Sequence, residues 1–155
     1  MLCCHQMTES EKQEVCSWKY EGEYAVYNLP DYKTMQEKQM GFCNPKRDKN
    51  FFSYYDGEVL VGFTNLLEEE SGVFVGIGVS PDLCNKGYGQ QILSLVKERS
   101  FRLYPGKPLY LEVRCWNRRA VACYQRAGFA IEGQPFRQTT SMGKGSFYRM
   151  VCPAE

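Results

Sequence analysis

The chain has little histidine, little net charge and no long apolar run, and each shortage excludes a class of protein. Its 155 residues include one histidine, and 19 Lys+Arg against 18 Asp+Glu leave a formal net charge of +1. A nearly neutral chain lacks the basic excess that is typical of nucleic-acid binders. The apolar runs are far shorter than the ~20 residues that cross a bilayer, and no basic region precedes an apolar stretch at the start. We expect a cytoplasmic protein without a nucleic-acid or membrane partner.

Cysteine is the residue present in excess, with eight copies. No two cysteines have the C-x-x-C spacing that places two thiolates on one zinc ion, so the sequence indicates no metal site. His5 lies beside Cys3 and Cys4, where a short strand with partly buried thiols is the simpler interpretation. A Cys/His hydrolase is disfavoured because His5 is the one imidazole base in the sequence. We expect reduced thiols that pack as small apolar side chains.

The hydrophobic pattern predicts both strands and helices. Leu2–Met7 is predicted as a strand, and Thr8 opens a helix through Val15 and Trp18 with a capping box. A second helix is expected from Asp31 to Met40, ended by Gly41. The later elements are predicted at Phe51–Tyr55, Glu58–Leu67 and Val73–Val79 (strands), Asn85–Arg102 (helix), Leu109–Val113 (strand), Asn117–Ala127 (helix, capped by Gly128), and Phe129–Phe136 and Phe147–Cys152 (strands).

This order predicts a mixed α/β fold. We expect a mostly antiparallel, twisted sheet of six to seven strands flanked by about four helices. Neither repeats nor low-complexity linkers interrupt the chain, so residues 1–155 are predicted to form a single domain.

Two glycines mark the turn from the predicted Val73–Val79 strand into the long helix. Gly87 and Gly89 lack the Cβ atoms that would keep a pyrophosphate from the backbone, and Lys86 adds a nearby cation. A helix N-terminus also offers unpaired N–H groups and a positive dipole end. The pattern is weak alone, because Ile92 stands where a dinucleotide fingerprint has its third glycine. A tight turn explains both glycines equally well.

A second pattern follows at the distance of one helix and one strand. It consists of Leu111, Val113, Asn117, Ala120, Tyr124, Gly128 and Phe129. This pattern resembles the L-x-V-x-x-x-N-x-x-A-x-x-x-Y-x-x-x-G-F signature of the GNAT N-acetyltransferase superfamily. Gly87-Tyr88-Gly89 then falls where that family has its acetyl-CoA loop, although Cys84 replaces the usual Gln or Arg. The strand around Glu112 looks most like that of the ribosomal-protein N-terminal alanine acetyltransferases.

The resemblance implies a GNAT-like acyl-CoA N-acyltransferase fold with acetyl-CoA as cosubstrate and no metal. The pantetheine arm would lie along the backbone of Ile77, Gly78 and Val79. The pyrophosphate would lie on the amides of Asn85, Lys86, Gly87, Tyr88, Gly89 and Gln90. Asn117 would contact the cofactor arm, cap its own helix, or do both.

The resemblance also implies two catalytic residues. Tyr124 occupies the general-acid position and would give a proton to the departing thiolate, although packing against the sheet is the alternative. Glu112 stands where the alanine-acetylating branch has its proposed base, with a solvated or salt-bridged sheet carboxylate as an equal alternative. A water chain or an already neutral amine would make a dedicated base unnecessary. Val73 occupies the position of the glutamate that other members use.

We therefore expect an N-acetyltransferase that moves acetyl from acetyl-CoA to a primary amine, in a monomer or homodimer. The acceptor is a small molecule or a protein N-terminus. In this family it would be flanked by the Phe136–Phe147 hairpin and by the Thr8–Asn28 helix with its aromatic residues, Trp18, Tyr20, Tyr24 and Tyr27. Core packing explains these aromatic residues equally well. A non-catalytic acyl-CoA-binding module is the alternative, and a nucleotide-phosphate-binding domain has the glycine loop alone in its favour.

Overall fold

The computed structural model describes residues 1–140 and 143–155, which contain seven strands and four α-helices in the predicted order. The strands are β1 (Cys3–Gln6), β2 (Phe51–Asp56), β3 (Val59–Glu68), β4 (Val73–Val79), β5 (Leu109–Arg114), β6 (Ala130–Thr140) and β7 (Gly143–Cys152). The helices are α1 (Glu9–Cys16), α2 (Tyr32–Glu37), α3 (Tyr88–Leu103) and α4 (Arg118–Arg126). Short 3-10 turns lie at Gly22–Tyr27, Gly41–Cys43, Asp48–Asn50 and Pro81–Leu83.

The strands form one mixed sheet in the order β1-β2-β3-β4-β5-β7-β6. Strand β2 is antiparallel to β1 and to β3, β7 is antiparallel to β5 and to β6, and β4 runs parallel to β5. The predicted fold class is therefore confirmed. Within the described ranges, every helix is too short or too polar to cross a bilayer.

The chain divides into two compact units, each made of two stretches. The first unit contains Met1–Asn65 and Ile77–Tyr88, and the second contains Leu66–Gly76 and Gly89–Glu155. Strand β4 thus begins in the second unit and ends in the first.

Helices α1 and α2 cover the apolar core of the first unit. Its buried members are Met7, Val15, Cys16, Met35, Phe42, Phe51 and Leu60. The predicted capping box at Thr8 is confirmed, since the Glu11 N–H donates to Thr8 Oγ1 at 3.3 Å and the Thr8 N–H donates to Glu11 Oε1 at 2.9 Å. Two of the first turn's unpaired backbone N–H groups are thereby satisfied.

Helix α1 ends at Cys16, so the prediction of a helix through Trp18 and on toward Asn28 is wrong. Gly22 has a φ of 60°, in the left-handed region that interrupts a right-handed helix. The Asn28 side chain also brackets the backbone of Tyr20, accepting from its N–H at 2.6 Å and donating to its carbonyl at 3.4 Å. These side-chain bonds compete with the helical ladder and close residues 20–28 into a loop.

Helix α2 begins after Asp31, as predicted, but ends at Glu37 rather than Met40. Gln39 adopts the left-handed conformation (φ 50°), and the Met40 N–H donates to the Met35 carbonyl at 2.9 Å. This is a Schellman motif with glutamine where glycine is usual. The prediction failed because it assigned the stop to Gly41.

The second unit follows the predicted alternation closely. Leu109, Leu111 and Val113 are buried on one face of β5, while Glu112 is exposed on the other. Helix α4 ends in a Schellman motif at Gly128 (φ 100°), which confirms the predicted cap.

The final two strands are longer than predicted. Strand β6 continues to Thr140 and β7 begins at Gly143, because backbone pairing extends through polar residues that carry no apolar pattern. Ser141 and Met142, inside the predicted Phe136–Phe147 hairpin, lie outside the described residues.

All eight cysteines are free thiols. Cys16 and Cys152 are buried, as expected of thiols that pack as small apolar side chains, whereas Cys3 is exposed and does not fit that expectation. Residues 1–140 and 143–155 hold no cluster of three side chains suited to bind a metal ion.

Candidate functional site

The end of β4 is covered by aromatic side chains of the first unit. The ring of Phe63 lies on Gly78 so closely that a Cβ there would overlap it. The Tyr20 hydroxyl donates to the Val79 carbonyl at 2.6 Å, which fastens the 20–28 loop to the strand. Ile77, Gly78 and Val79 are half-buried, so this stretch of the strand is partly accessible.

The glycine loop runs from Ser80 to the first residue of α3. The Ser80 N–H donates to the Val61 carbonyl at 2.9 Å, and a 3-10 turn follows at Pro81–Leu83. Asn85 (φ 64°) and Gly87 (φ 87°) both adopt the left-handed conformation. Helix α3 therefore begins at Tyr88, not at Asn85 as predicted.

The loop presents exposed backbone at the head of a long helix. Asn85, Lys86 and Gly87 are exposed, and a Cβ built on Gly87 would meet no atom within 4 Å. Helix α3 is 16 residues long, so its N-terminus carries a full positive dipole end. This arrangement suits an anion such as a phosphate.

Gly89 is glycine for a reason that the sequence did not show. A Cβ on Gly89 would lie 3.1 Å from Cys123 Sγ on α4. Gln90 then binds α3 to α4, since its Nε2 donates to the Cys123 carbonyl at 2.6 Å and lies 3.2 Å from Sγ. Gly87 is thus needed for backbone conformation, and Gly89 for close packing of two helices.

Asn117 is the N-cap of α4, as one of the two interpretations predicted. Its side chain is buried, and Oδ1 accepts the Ala120 N–H at 3.1 Å. A contact to a cofactor arm stays a prediction.

Tyr124 lies on α4, half-buried, with its ring edge-on to Phe129 at 6.3 Å. The Phe129 N–H also donates to the Tyr124 carbonyl at 3.0 Å, within the motif that ends α4. The backbone and ring of Tyr124 are therefore held from the same residue. The packing role is confirmed, and the proton-donor role stays a prediction.

Glu112 lies on the polar face of β5. Gln138 Nε2 of β6 donates to Glu112 Oε1 at 3.1 Å, and Arg149 of β7 is its cross-strand neighbour. The Arg149 guanidinium stacks on the Tyr110 ring at 3.8 Å and donates to Glu132. Glu112 is thus an exposed carboxylate with one amide partner, which is compatible with either predicted role.

The sequence missed a buried cation at the end of β5. Arg114 is 6% exposed, its Cζ lies 4.9 Å from the centroid of the Phe147 ring, and its Nη2 lies 3.5 Å from Thr140 Oγ1. A Cβ on Gly145 would overlap the guanidinium. Strand alternation gives no signal for a buried arginine, since it places residue 114 on the polar face with Glu112.

Comparison with known proteins establishes the family. A model of the Acetyltransferase (GNAT) family matches residues 12–129. The chain belongs to the acetyltransferase (GNAT) family, which confirms the resemblance drawn from its two motifs.

One curated relative and several solved structures are similar to this chain. The relative, the uncharacterized N-acetyltransferase YfmK of Bacillus subtilis (strain 168), is 33% identical over 85 residues, or 50% of this chain and 52% of that protein. This chain thus spans about half the length of the curated relative it matches. A Vibrio cholerae spermidine N-acetyltransferase, solved in complex with CoA and spermine, superposes with a TM-score of 0.80 at 18% identity, covering 99% of this chain and 95% of that one.

The ribosomal-protein-S18-alanine N-acetyltransferase of Escherichia coli also superposes. Its TM-score is 0.71 at 17% identity, covering 100% of this chain and 95% of that one. At identities this low, the two superpositions establish a shared fold and nothing more.

Proposed function

We propose that this protein is an acetyl-CoA-dependent N-acetyltransferase, formed by one domain over residues 1–155, that acetylates a primary amine. The observation that carries the proposal is the loop before α3. The loop has exposed backbone, two residues in the left-handed conformation and the positive end of a 16-residue helix. It lies in a chain that belongs to the acetyltransferase (GNAT) family.

The loop fits the pyrophosphate of CoA. Its exposed residues Asn85, Lys86 and Gly87 offer N–H groups and one cation, and the open space at Gly87 leaves room for a phosphate. Tyr88, Gly89 and Gln90 form the first turn of α3, whose unpaired N–H groups would bind the same anion. The loop thus supplies positive potential locally in a nearly neutral chain.

The pantetheine arm would lie along Ile77–Val79, with Asn117 as a further contact. Phe63 and Tyr20 hold this stretch of β4 in place, so its backbone N–H groups would be preorganised. A backbone N–H aimed at the thioester oxygen would stabilise the negative charge that develops there.

The reaction is a direct transfer. The amine nitrogen attacks the thioester carbon, a C–N bond forms, and the C–S bond breaks to release CoA thiolate. The attacking nitrogen loses one proton and the thiolate gains one. The thiol of CoA resembles that of cysteine, with a pKa of about 8.5, so its sulfur leaves more readily when a donor protonates it.

We assign the proton donor to Tyr124 and the acceptor of the amine proton to Glu112. Tyr124 is held by Phe129 at both its ring and its carbonyl, which gives its phenol a defined direction. Glu112 is exposed and accepts one hydrogen bond from Gln138, so it retains lone pairs for a water or an amine. A water chain remains the alternative for the base.

The similar structures act on amines of two kinds. One is a spermidine N-acetyltransferase and another acetylates the alanine of ribosomal protein S18. Both a small amine and a protein N-terminus are therefore candidates for the acceptor.

The decisive experiment combines ligand binding with turnover. A ligand at 100 times its dissociation constant adds about 2.7 kcal/mol of stability, so acetyl-CoA should raise the Tm by about 5–10 °C. A panel of amines and peptides, assayed by released CoA thiol, then identifies the acceptor. An unchanged Tm at millimolar acetyl-CoA would contradict the proposal. Binding with no turnover on any amine would favour the non-catalytic acyl-CoA-binding module.

A further inference from the structure

One hairpin holds both ends of the glycine loop. At the start of the loop, the Ser80 N–H donates to the Val61 carbonyl of β3 at 2.9 Å. At the end, the Tyr88 hydroxyl donates to Asp56 Oδ2, the last residue of β2, at 2.6 Å. Strands β2 and β3 thus form a frame around residues 80–88.

A β-bulge lies in this hairpin, at the residue whose carbonyl accepts from Ser80. Tyr54 pairs with Gly62 but Tyr55 pairs with Leu60, so Val61 is the extra residue of the bulge. A bulge bends its strand and redirects the groups around it. Here the carbonyl of the extra residue, Val61, accepts the hydrogen bond from the Ser80 N–H. Asp56, at the end of the partner strand, accepts the hydrogen bond from Tyr88.

The backbone of the loop does little by itself to fix its conformation. Asn85 (φ 64°) adopts left-handed backbone, which residues with a Cβ rarely adopt, and Gly87 (φ 87°) populates other conformations readily because it has no Cβ. Tyr88 directly follows this stretch of backbone, and its hydroxyl donates to Asp56. A tie at that point reduces the number of loop conformations that compete with the one described.

We propose that Asp56 is a positioning residue for CoA binding, acting through Tyr88. The inference rests on the proposed function, since it assigns the loop to the CoA pyrophosphate. Asp56 does not touch the ligand in this proposal. It holds the first residue of α3 so that the loop amides are oriented before the phosphates arrive, which lowers the entropic cost of binding.

The charge of Asp56 makes this assignment testable. A carboxylate beside an anion site repels phosphates when it is free, but it strengthens a hydrogen bond from a phenol. The hydrogen bond to the Asp56 carboxylate raises the pKa of Tyr88, so the phenol stays protonated as a donor. If positioning dominates, removing the acceptor oxygen of Asp56 weakens CoA binding, whereas if repulsion dominates, removing the carboxylate strengthens CoA binding.

The experiment measures CoA dissociation constants by calorimetry for Asp56→Ala, Tyr88→Phe and the double variant. Each single change should weaken binding about 3- to 10-fold, the equivalent of one hydrogen bond. The double variant should lose no more than the worse single variant, because both changes remove the same tie. Asp56→Asn keeps an oxygen acceptor and should stay within about twofold of the parent.

A truncated donor separates positioning of the loop from general damage to the protein. With S-acetylpantetheine, which has no nucleotide, kcat/KM should be the same in Asp56→Ala and the parent. Glu58→Ala is the matched control, since Glu58 is an exposed carboxylate on the same turn and should change neither measurement.

Three results would overturn the inference: unchanged or tighter CoA binding in Asp56→Ala, fully additive losses in the double variant, or an equal loss with the truncated donor. A parent protein that fails to bind CoA would instead overturn the proposed function. The two failures are therefore distinguishable.

Discussion

The two loop glycines should respond differently to the same substitution. A Cβ on Gly89 would lie 3.1 Å from Cys123 Sγ, about 0.5 Å inside an ordinary contact of ~3.5–4.0 Å. Overpacking of this kind costs about 1–3 kcal/mol, while alanine in place of glycine within a helix gains about 1 kcal/mol. We expect Gly89→Ala to lower the free energy of unfolding by up to about 2 kcal/mol, and the Tm by up to several degrees.

Removing the opposing sulfur should reverse this effect. In a Cys123→Ala background no Sγ opposes the new methyl group, so Gly89→Ala should become neutral or stabilising by up to about 1 kcal/mol. Gln90 keeps its bond to the Cys123 carbonyl in either background, so α3 stays attached to α4. Urea unfolding of the parent, both single variants and the double variant measures the coupling energy.

Gly87→Ala is the matched control. Its cost arises from a φ of 87° with no atom within 4 Å of the new methyl group, so it should be about 1–2 kcal/mol in both backgrounds. The packing explanation for Gly89 is refuted if Gly89→Ala destabilises the protein equally with and without Cys123.

Three further substitutions test the other assignments. Tyr124→Phe should lower kcat at least ~10²-fold with CoA affinity nearly unchanged, and wild-type turnover would remove it as the acid. Glu112→Gln should flatten the acidic limb of the kcat/KM pH profile, and an identical profile would exclude it as the base. Gly78→Ala should destabilise by about 2 kcal/mol or more, because its methyl group would overlap the Phe63 ring.

The lowered pKa of Glu11 predicts the pH range in which the fold loses stability. Burial favours a raised pKa for Glu11, but hydrogen bonds from Tyr55 and the Thr8 N–H outweigh it and lower the pKa from 4.5 to about 2. A carboxylate whose pKa is lower in the folded state stabilises the fold above its unfolded pKa and loses that contribution as the pH falls through the folded value. The parent should therefore lose stability between about pH 4.5 and about pH 2. Glu11→Gln should remove this part of the acid dependence in urea titrations at several pH values. A slope that persists in the variant would contradict the assignment.

The order of elements was predictable because it rests on local patterns. The capping box at Thr8, the strand Val73–Val79, the alternation along β5 and the Gly128 cap all involve residues within a few positions of one another. Helix ends were less predictable. Gln39, after α2, and Asn85, before α3, adopt left-handed backbone that glycine usually supplies, so the sequence held no conventional sign of a helix boundary at either position.

The sequence predicted which residues form the candidate site, but it did not predict their contacts. The sequence alone determined the family, through two motifs at the right separation. The residues that would bind CoA follow from that family as a prediction. The sequence also predicted the fold class, since the order of strands and helices restricts the chain to a few layered architectures.

Only the tertiary structure decided why those residues are present. It separated Gly89, which makes room for Cys123, from Gly87, which supplies a backbone angle, and it connected Tyr88 to Asp56. The partners in these contacts lie more than 30 positions apart in the sequence. Local propensity carries no information about such pairs, because they meet only when the sheet and its helices have packed.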